Sequence, residues 1–312
     1  MKNSFKAALA LSVVLAFPAT SMAKDIAVIV KTTSSNFWQN VNKGASAAIE
    51  GTDHNMTFDG PAAESAVADQ VNMVDNAVNR GVAALVLAPS DPEALIPSVK
   101  RANEAGIPVA IIDSALGEGA DGAYQTFLST DNCAAGKLAA SKMIEATGGE
   151  GKVAVMSYVA GVGSEIGRVG CFIEEIKGNS KIEIVGPYYS QSQMANALNQ
   201  TTDVLAANPD LKGIFGANEP TAVGMGRAIQ QAGKAGQLVA IGFDGNEDLQ
   251  AFVKDGTLAG TLVQGSFQMG ELGVKAVIDL LDGKTVEPQI DTGVVFVTKE
   301  NIDTDEAKNV LY

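Results

Sequence analysis

Short β-branched runs alternate with longer stretches of helical period along almost the whole chain, and that alternation limits the possible folds more than any single motif does. The strand-like runs are Ile26–Val30, Met56–Phe58, Ala84–Leu87, Val109–Ile112 and Gln125–Leu128, followed by Val153–Met156, Ile182–Val185, Gly213–Phe215, Val239–Ile241 and Gly260–Val263. Between them lie amphipathic stretches such as Asn36–Glu50, Glu64–Arg80, Glu93–Glu104, Asn132–Ala146, Ser192–Ala207 and Thr221–Ala232. Apolar runs of this kind read as strands buried on both faces, with the helical stretches as crossovers, so the sequence predicts parallel α/β sheets. Capping residues mark helix starts at Ser90-Asp91-Pro92-Glu93 and at Asp131-Asn132.

Size and composition refine this. The residues from 24 onward number about 290, more than one hydrophobic core usually serves, so two lobes are expected. No Pro- or Ser-rich linker divides the chain, which is therefore expected to pass between lobes through ordinary strand ends. With 33 glycines and only 5% aromatic residues, the composition suits helices packed closely on parallel sheets.

The N-terminus carries Lys2 and Lys6, an apolar run from Ala7 to Phe17, and the small-residue pattern Ser21-Met22-Ala23, the three parts of a secretory signal peptide over residues 1–23. That run is too short to span a bilayer as a stable helix. Lys24-Asp25 stands where a lipoprotein would carry a cysteine, so the expected product is a free periplasmic protein. The net charge is −14; without Lys2 and Lys6, 20 basic face 36 acidic side chains, a balance of −16 that argues against nucleic acid and anionic lipid as partners. With Cys133, Cys171 and the single histidine His54, a Cys/His zinc site is excluded, as is a Cys-His nucleophile pair unless His54 reaches a cysteine. In an oxidising compartment two cysteines suggest one disulfide, and two separate buried thiols are the alternative that the sequence leaves open.

Open parallel sheets gather ligands at the carboxyl ends of their strands, so polar residues ending strands are the first site candidates: Lys31, Asp113, Asn218, Asp244 and Gln264. Two enzyme readings compete. Gly161-Val162-Gly163-Ser164-Glu165-Ile166-Gly167 follows a strand, with Glu183 further on, in the manner of a dinucleotide fingerprint; its spacing is GxGxxxG rather than GxGxxG, and it lies mid-chain. Asp113 and Asp244 resemble a glycosidase carboxylate pair, yet a binding role explains them equally well, because ionised carboxylates accept charge-assisted hydrogen bonds from sugar hydroxyls. Helix caps or turn residues are the third reading of these aspartates.

The strand-end residues also match a family. Ser35-Asn36-Phe37-Trp38, Ala88-Pro89-Ser90-Asp91, Ala105-Gly106-Ile107-Pro108-Val109, Asp131-Asn132 with Gly136, Arg168 before Phe172, Asn218-Glu219 and Gly242-Phe243-Asp244-Gly245 occur in an order and spacing that resembles the periplasmic ribose- and galactose-type sugar-binding proteins over the whole mature length. The resemblance implies a type I periplasmic binding fold, two doubly wound parallel-sheet lobes joined by a three-strand hinge. The lobes would comprise residues 24–130 plus 265–291 and residues 131–264 plus 292–312, with crossings near Thr130, Gln264 and Asp291.

It implies a stacking wall at Phe37 and Trp38, hydroxyl contacts at Asp113, Arg168, Asn218, Asp244 and Gln264, and a further aromatic near Tyr188 and Tyr189. Arg168 has salt bridges to Glu165 or Glu174 as its alternative reading. Ser35 stands where the family often carries an asparagine, which weakens one contact. Ser114 replaces the arginine of the ribose binders, which weighs against ribose. Lys31, together with Phe58-Asp59-Gly60-Pro61, is similar to binders of the furanosyl autoinducer and of some deoxysugars and polyols. The implied partners are a small sugar or polyol, an ABC transporter permease and a chemoreceptor, for a monomeric protein with no cofactor and no catalysis.

Overall fold

The computed structural model describes residues 23–312, so the expected signal peptide, apart from Ala23, lies outside the described residues. The chain first builds β1 (Asp25–Ile29), α1 (Asn36–Ile49), β2 (Asn55–Asp59), α2 (Val67–Arg80), β3 (Ala84–Leu87), α3 (Ile96–Glu104), β4 (Val109–Ile112) and β5 (Thr126–Ser129). It then runs through α4 (Asn132–Thr147), β6 (Glu150–Ser157), α5 (Gly163–Asn179), β7 (Lys181–Tyr189), α6 (Met194–Ala207), β8 (Leu211–Gly216), α7 (Glu219–Gln231), β9 (Val239–Phe243), α8 (Glu247–Asp255) and β10 (Gly260–Gln264). Last come α9 (Ser266–Leu281), β11 (Gln289–Asp291), β12 (Val294–Val297) and α10 (Asp305–Lys308).

These strands form two six-stranded sheets, ordered β11-β5-β4-β3-β1-β2 and β12-β10-β9-β8-β6-β7. Every pairing in the first sheet is parallel. The second departs from the all-parallel expectation at one edge, where β12 runs antiparallel to β10 with Gln264 opposite Val294. Strand order therefore reverses at the same place in both lobes, beside β1 and beside β6, and the crevice outside the strand ends is where an open α/β sheet takes a ligand. The chain passes from β5 into α4, back from β10 into α9, and across again from β11 into β12.

Each sheet is buried on both faces, which is why its strands lack polar alternation. In the first lobe Val28, Val86 and Ile112 pack with Trp38 and Val41 on one face. On the other, Ile29, Leu87 and Ile111 pack with Val74 and Val99. Glycines set the closest helix contacts: a methyl group on Gly44 in α1 would collide with the Phe267 carbonyl of α9, and one on Gly136 in α4 with the Arg168 carbonyl of α5. The α4–α5 pair also carries a Cys133–Cys171 disulfide, with the two Cα atoms 5.2 Å apart.

Three helices start later than their sequence pattern suggests, each for a local reason. The Asp91 carboxylate accepts the N–H groups of Glu93 and Ala94 at 2.8 and 2.7 Å, a turn that delays α3 to Ile96. Gln191 and Ser192 take left-handed φ values of 58° and 54°, which bars them from α6. Glu64 stands ahead of α2, and its side chain turns into the space between the lobes.

Candidate functional site

From the first lobe, Lys31 follows β1 and Asp113 follows β4. The Lys31 ammonium donates to Asp113 Oδ2 at 2.6 Å, Ser114 Oγ at 2.6 Å and Ser164 Oγ at 3.2 Å, the last belonging to the opposite lobe. All three of its protons are thus engaged by protein oxygens. Asp113 has φ 63°, a left-handed conformation that costs a non-glycine residue on the order of 1 kcal/mol and marks sites where geometry is fixed by its surroundings. Ser35 caps α1, its hydroxyl accepting the Trp38 N–H at 3.4 Å, so the helix begins beside the cleft and presents Phe37 and Trp38 in its first turn. The two rings meet edge to face, centroids 4.8 Å apart, and the Trp38 indole N–H donates to Glu64 Oε1 at 3.0 Å.

From the second lobe, Arg168 lies over the Phe243 ring, its guanidinium carbon 3.6 Å from the centroid. Its guanidinium donates to Asn132 Oδ1 at 3.1 and 2.7 Å, to the Ala217 carbonyl at 2.6 Å and to Gln264 Oε1 at 3.2 Å. Glu165, an alternative partner on sequence grounds, instead accepts the Ser157 hydroxyl at 3.0 Å. Gln264 passes the network on, its amide N–H donating to Asp244 Oδ1 at 2.9 Å, while Asp244 Oδ2 accepts the Glu219 N–H at 2.8 Å. Asp244 is left-handed too, with φ 78°. Asn218 caps α7 through Thr221 N–H.

Electrostatically the second lobe is the more heavily loaded. Glu219 Oε1 accepts the Asn36 N–H at the start of α1 across the cleft, and Glu219 Oε2 accepts the Tyr312 hydroxyl. Burial, reinforced by the neighbouring Asp244 carboxylate, pushes Glu219 up to about 7. Burial likewise pushes Asp244 up to about 6, with Arg168 and the Gln264 hydrogen bond pulling the other way. Tyr158, buried at the end of β6, is raised far above the usual phenol range by burial and remains a neutral hydroxyl paired with Ser164 Oγ at 2.9 Å.

A cavity lies between these groups, lined by Lys31, Ser35, Phe37, Trp38 and Asp113 from one lobe and by Arg168, Asn218, Asp244 and Gln264 from the other. Ser114 stands behind this wall, bonded to Lys31 and Asp113. Glu64, Tyr158, Ser164, Glu219 and Pro220 also line it, and no sequence pattern singled out Glu64, Tyr158 or Ser164 as site residues. Tyr188 and Tyr189 fall instead within β7, the edge strand, and the aromatic lining from the second lobe is Tyr158. The glycine run that resembles a dinucleotide fingerprint opens α5, where a side chain on Gly163 would strike the Ala115 carbonyl of the facing lobe. Its glycine allows the lobes to approach.

The model of the periplasmic binding protein domain matches residues 26–285. The chain belongs to the periplasmic binding protein family. This binding protein is 31% identical to the ribose import binding protein of Salmonella typhimurium, over 90% of its own length and 93% of that protein's. Against the D-allose-binding periplasmic protein of Escherichia coli it is 29% identical, covering 82% and 84% of the two chains. Among solved structures, an ABC transporter solute-binding protein from Agrobacterium vitis with bound D-fucose is 72% identical, with a TM-score of 0.92 over 92% of this chain and 100% of that one. A carbohydrate transporter solute-binding protein from Agrobacterium radiobacter in complex with D-arabinose is 32% identical, with a TM-score of 0.89 over 94% and 100%. Sugar capture for ABC-type import is the function that this group shares, and the binding protein falls within that class. No helix among its described residues is long and apolar enough to cross a membrane.

Proposed function

We propose that the binding protein captures a neutral monosaccharide, with D-fucose the first candidate, in the periplasm, and hands it unaltered to an ABC permease. The observation that carries this reading is the cavity itself. It brings charged, polar and aromatic side chains of both lobes to one point. Four carboxylates, Glu64, Asp113, Glu219 and Asp244, line it against the two cations Lys31 and Arg168, an excess of negative charge that disfavours sugar acids. Carboxylates, amides and a guanidinium supply fixed partners for hydroxyls that lose water on burial, and the Phe37–Trp38 wall offers ring faces to axial C–H groups.

The 72% identity to a protein holding D-fucose supports a deoxyhexose in particular. In this reading Lys31, Ser35, Phe37, Trp38, Asp113, Ser114, Arg168, Asn218, Asp244 and Gln264 form the ligand site or hold it in shape. Residues 24–130 with 265–291 turn against 131–264 with 292–312, and the closed form is what the permease, and in a second use a chemoreceptor, would recognise. The protein acts as a monomer. Titration calorimetry against D-fucose, D-galactose, D-ribose and D-arabinose tests it: one-to-one binding tightest for D-fucose is expected, with the sugar recovered unchanged. Saturation by none of the four, or recovery of an altered sugar, would overturn it.

A further inference from the structure

We infer that Glu64 is a positioning residue that ties the orientation of Trp38 to closure of the cleft, one carboxylate oxygen holding the indole and the other receiving Ser192 from the opposite lobe. This rests on the reading of the cleft as a sugar site that closes on its ligand.

Glu64 is 7% exposed, and among the described residues it has no ion pair. Burying a carboxylate without a counter-charge is unfavourable unless its oxygens are hydrogen-bonded. Here each oxygen has one donor: the Trp38 indole N–H on Oε1, and the Ser192 hydroxyl on Oε2. Neither bond serves the helix that follows, since α2 begins at Val67 and draws no side-chain cap from Glu64. An indole N–H can only donate, so an acceptor at this point fixes the plane of the ring that faces the cavity.

The partner side is built with equal care. Ser192 and Gln191 are consecutive non-glycine residues in the left-handed region, a conformation retained only where surrounding structure enforces it. The enforcing contacts are Gln191 N–H to the Tyr158 carbonyl at 2.8 Å and Gln193 N–H to the Ser190 carbonyl at 3.2 Å. So aimed, the Ser192 hydroxyl accepts from the Asn218 amide at 3.0 Å while donating to Glu64. The result is a continuous chain from Asn218 through Ser192 and Glu64 to Trp38, joining cavity-lining groups of both lobes without passing through the ligand. Only the Ser192–Glu64 link crosses between lobes, so opening the cleft breaks that link and leaves Trp38 with Glu64.

Trp38 is the single tryptophan, so its emission reports this site alone. In sugar-free protein, Glu64→Ala is expected to shift the emission and raise acrylamide quenching about twofold or more, whereas Glu64→Gln, whose amide oxygen still accepts the indole N–H, stays near wild type. Ser192→Gly keeps the left-handed backbone, leaves the sugar-free emission unchanged, and raises the D-fucose off-rate about tenfold in stopped flow. Wild-type emission and quenching in Glu64→Ala overturns the hold on Trp38; a wild-type off-rate in Ser192→Gly overturns the link to closure. Should Glu64→Ala fail to melt cooperatively, a Glu64→Leu variant read by the same two spectra takes its place, and the serine variant decides the other half regardless. If wild-type protein binds no sugar, the sugar site is wrong, while the sugar-free spectra still judge Glu64.

Discussion

The two lobes place an aspartate by one backbone device and then surround it with opposite electrostatics. Asp113 and Asp244 each follow the fourth strand of their lobe in a left-handed conformation. Each donates its N–H to the next strand, to the Leu128 and Leu262 carbonyls at 3.0 and 2.6 Å. Each carbonyl accepts a hydroxyl from that strand, Ser129 and Thr261, both at 2.7 Å. Beyond this the likeness ends. Asp113 touches the Lys31 ammonium, whereas Asp244 has another carboxylate, Glu219, on its flank and meets Arg168 only through Gln264. Matching backbones thus carry a compensated charge on one side of the ligand space and a crowded pair of acids on the other.

The lobes also differ in how their paired helices are held, α4 and α5 by a covalent bond and α1 and α9 by packing and a hydrogen bond from Asn40 to Ser266. Reduction should therefore act on one lobe. The Cys133–Cys171 bond spans 38 residues, for which the chain-entropy model gives about 4 kcal/mol. A calorimetric scan in reductant is expected to lower the transition of the second lobe while leaving the first in place, and an equal shift of both would erase the distinction. Next in size is Arg168→Ala, which strips four hydrogen bonds from the second lobe's network and should weaken sugar binding by about 2 to 4 kcal/mol, or 30- to 1,000-fold. Calorimetry decides that, and wild-type affinity would remove Arg168 from the site.

The crowded acids give a pH signature with a defined sign. Glu219 and Asp244 hold protons in the folded protein, with values near 7 and 6, at pH values where the unfolded chain has already released them. Stability from these two groups is accordingly greatest at acid pH, falls as pH rises from about 4 to about 7, and is flat above. Glu219→Gln should reduce the drop in stability between pH 5 and pH 8 by about 1 to 3 kcal/mol, measured by denaturant melts at both pH values. An unchanged drop would mean that the carboxylates are not crowded as described. The smallest effect compares the first residues of the two returning helices. Asn132→Ala frees two guanidinium N–H groups of Arg168 and should weaken sugar binding about tenfold, whereas Ser266→Ala removes only a bond from Asn40 and should cost about 1 kcal/mol of stability with affinity unchanged. Comparable losses of affinity in both would show that the two helix pairs serve the site alike.

Much of this architecture is written in local pattern. Apolar runs such as Ala84–Leu87 name their strands because burial on both faces leaves no polar alternation to confuse them, and the strand-end rule leads directly to Lys31, Asp113, Asn218, Asp244 and Gln264. The short edge strands β11 and β12, Gln289–Asp291 and Val294–Val297, give too little pattern to stand out, since half-buried edges tolerate mixed residues. Glu64 and Ser164 are invisible to sequence for a different reason: each has a partner in the facing lobe, Ser192 for Glu64 and Lys31 for Ser164, and no spacing encodes a contact across a cleft. Tyr158 differs from these, because it follows β6 as Lys31 follows β1, and the strand-end rule points to it. Helix periodicity misleads at Glu64, Glu93 and Ser192, where turns precede the helix.

Because the chain crosses between the sheets more than once, neither lobe is a continuous stretch of sequence, and this governs the order in which the protein can assemble. The first sheet is finished only when β11 lays Gln289 beside Phe127, and the second only when β12 pairs with β10 through Val297 and Thr261. Strands β1 to β5 therefore wait for a partner encoded far downstream, with the whole of the other lobe made in between. Pairings at such sequence separation carry a large loop-closure entropy and are slow to form. A nascent chain will expose the β5 edge until its last tenth is available, and that interval, rather than any instability of the finished lobes, is when the protein is most open to aggregation or to a chaperone.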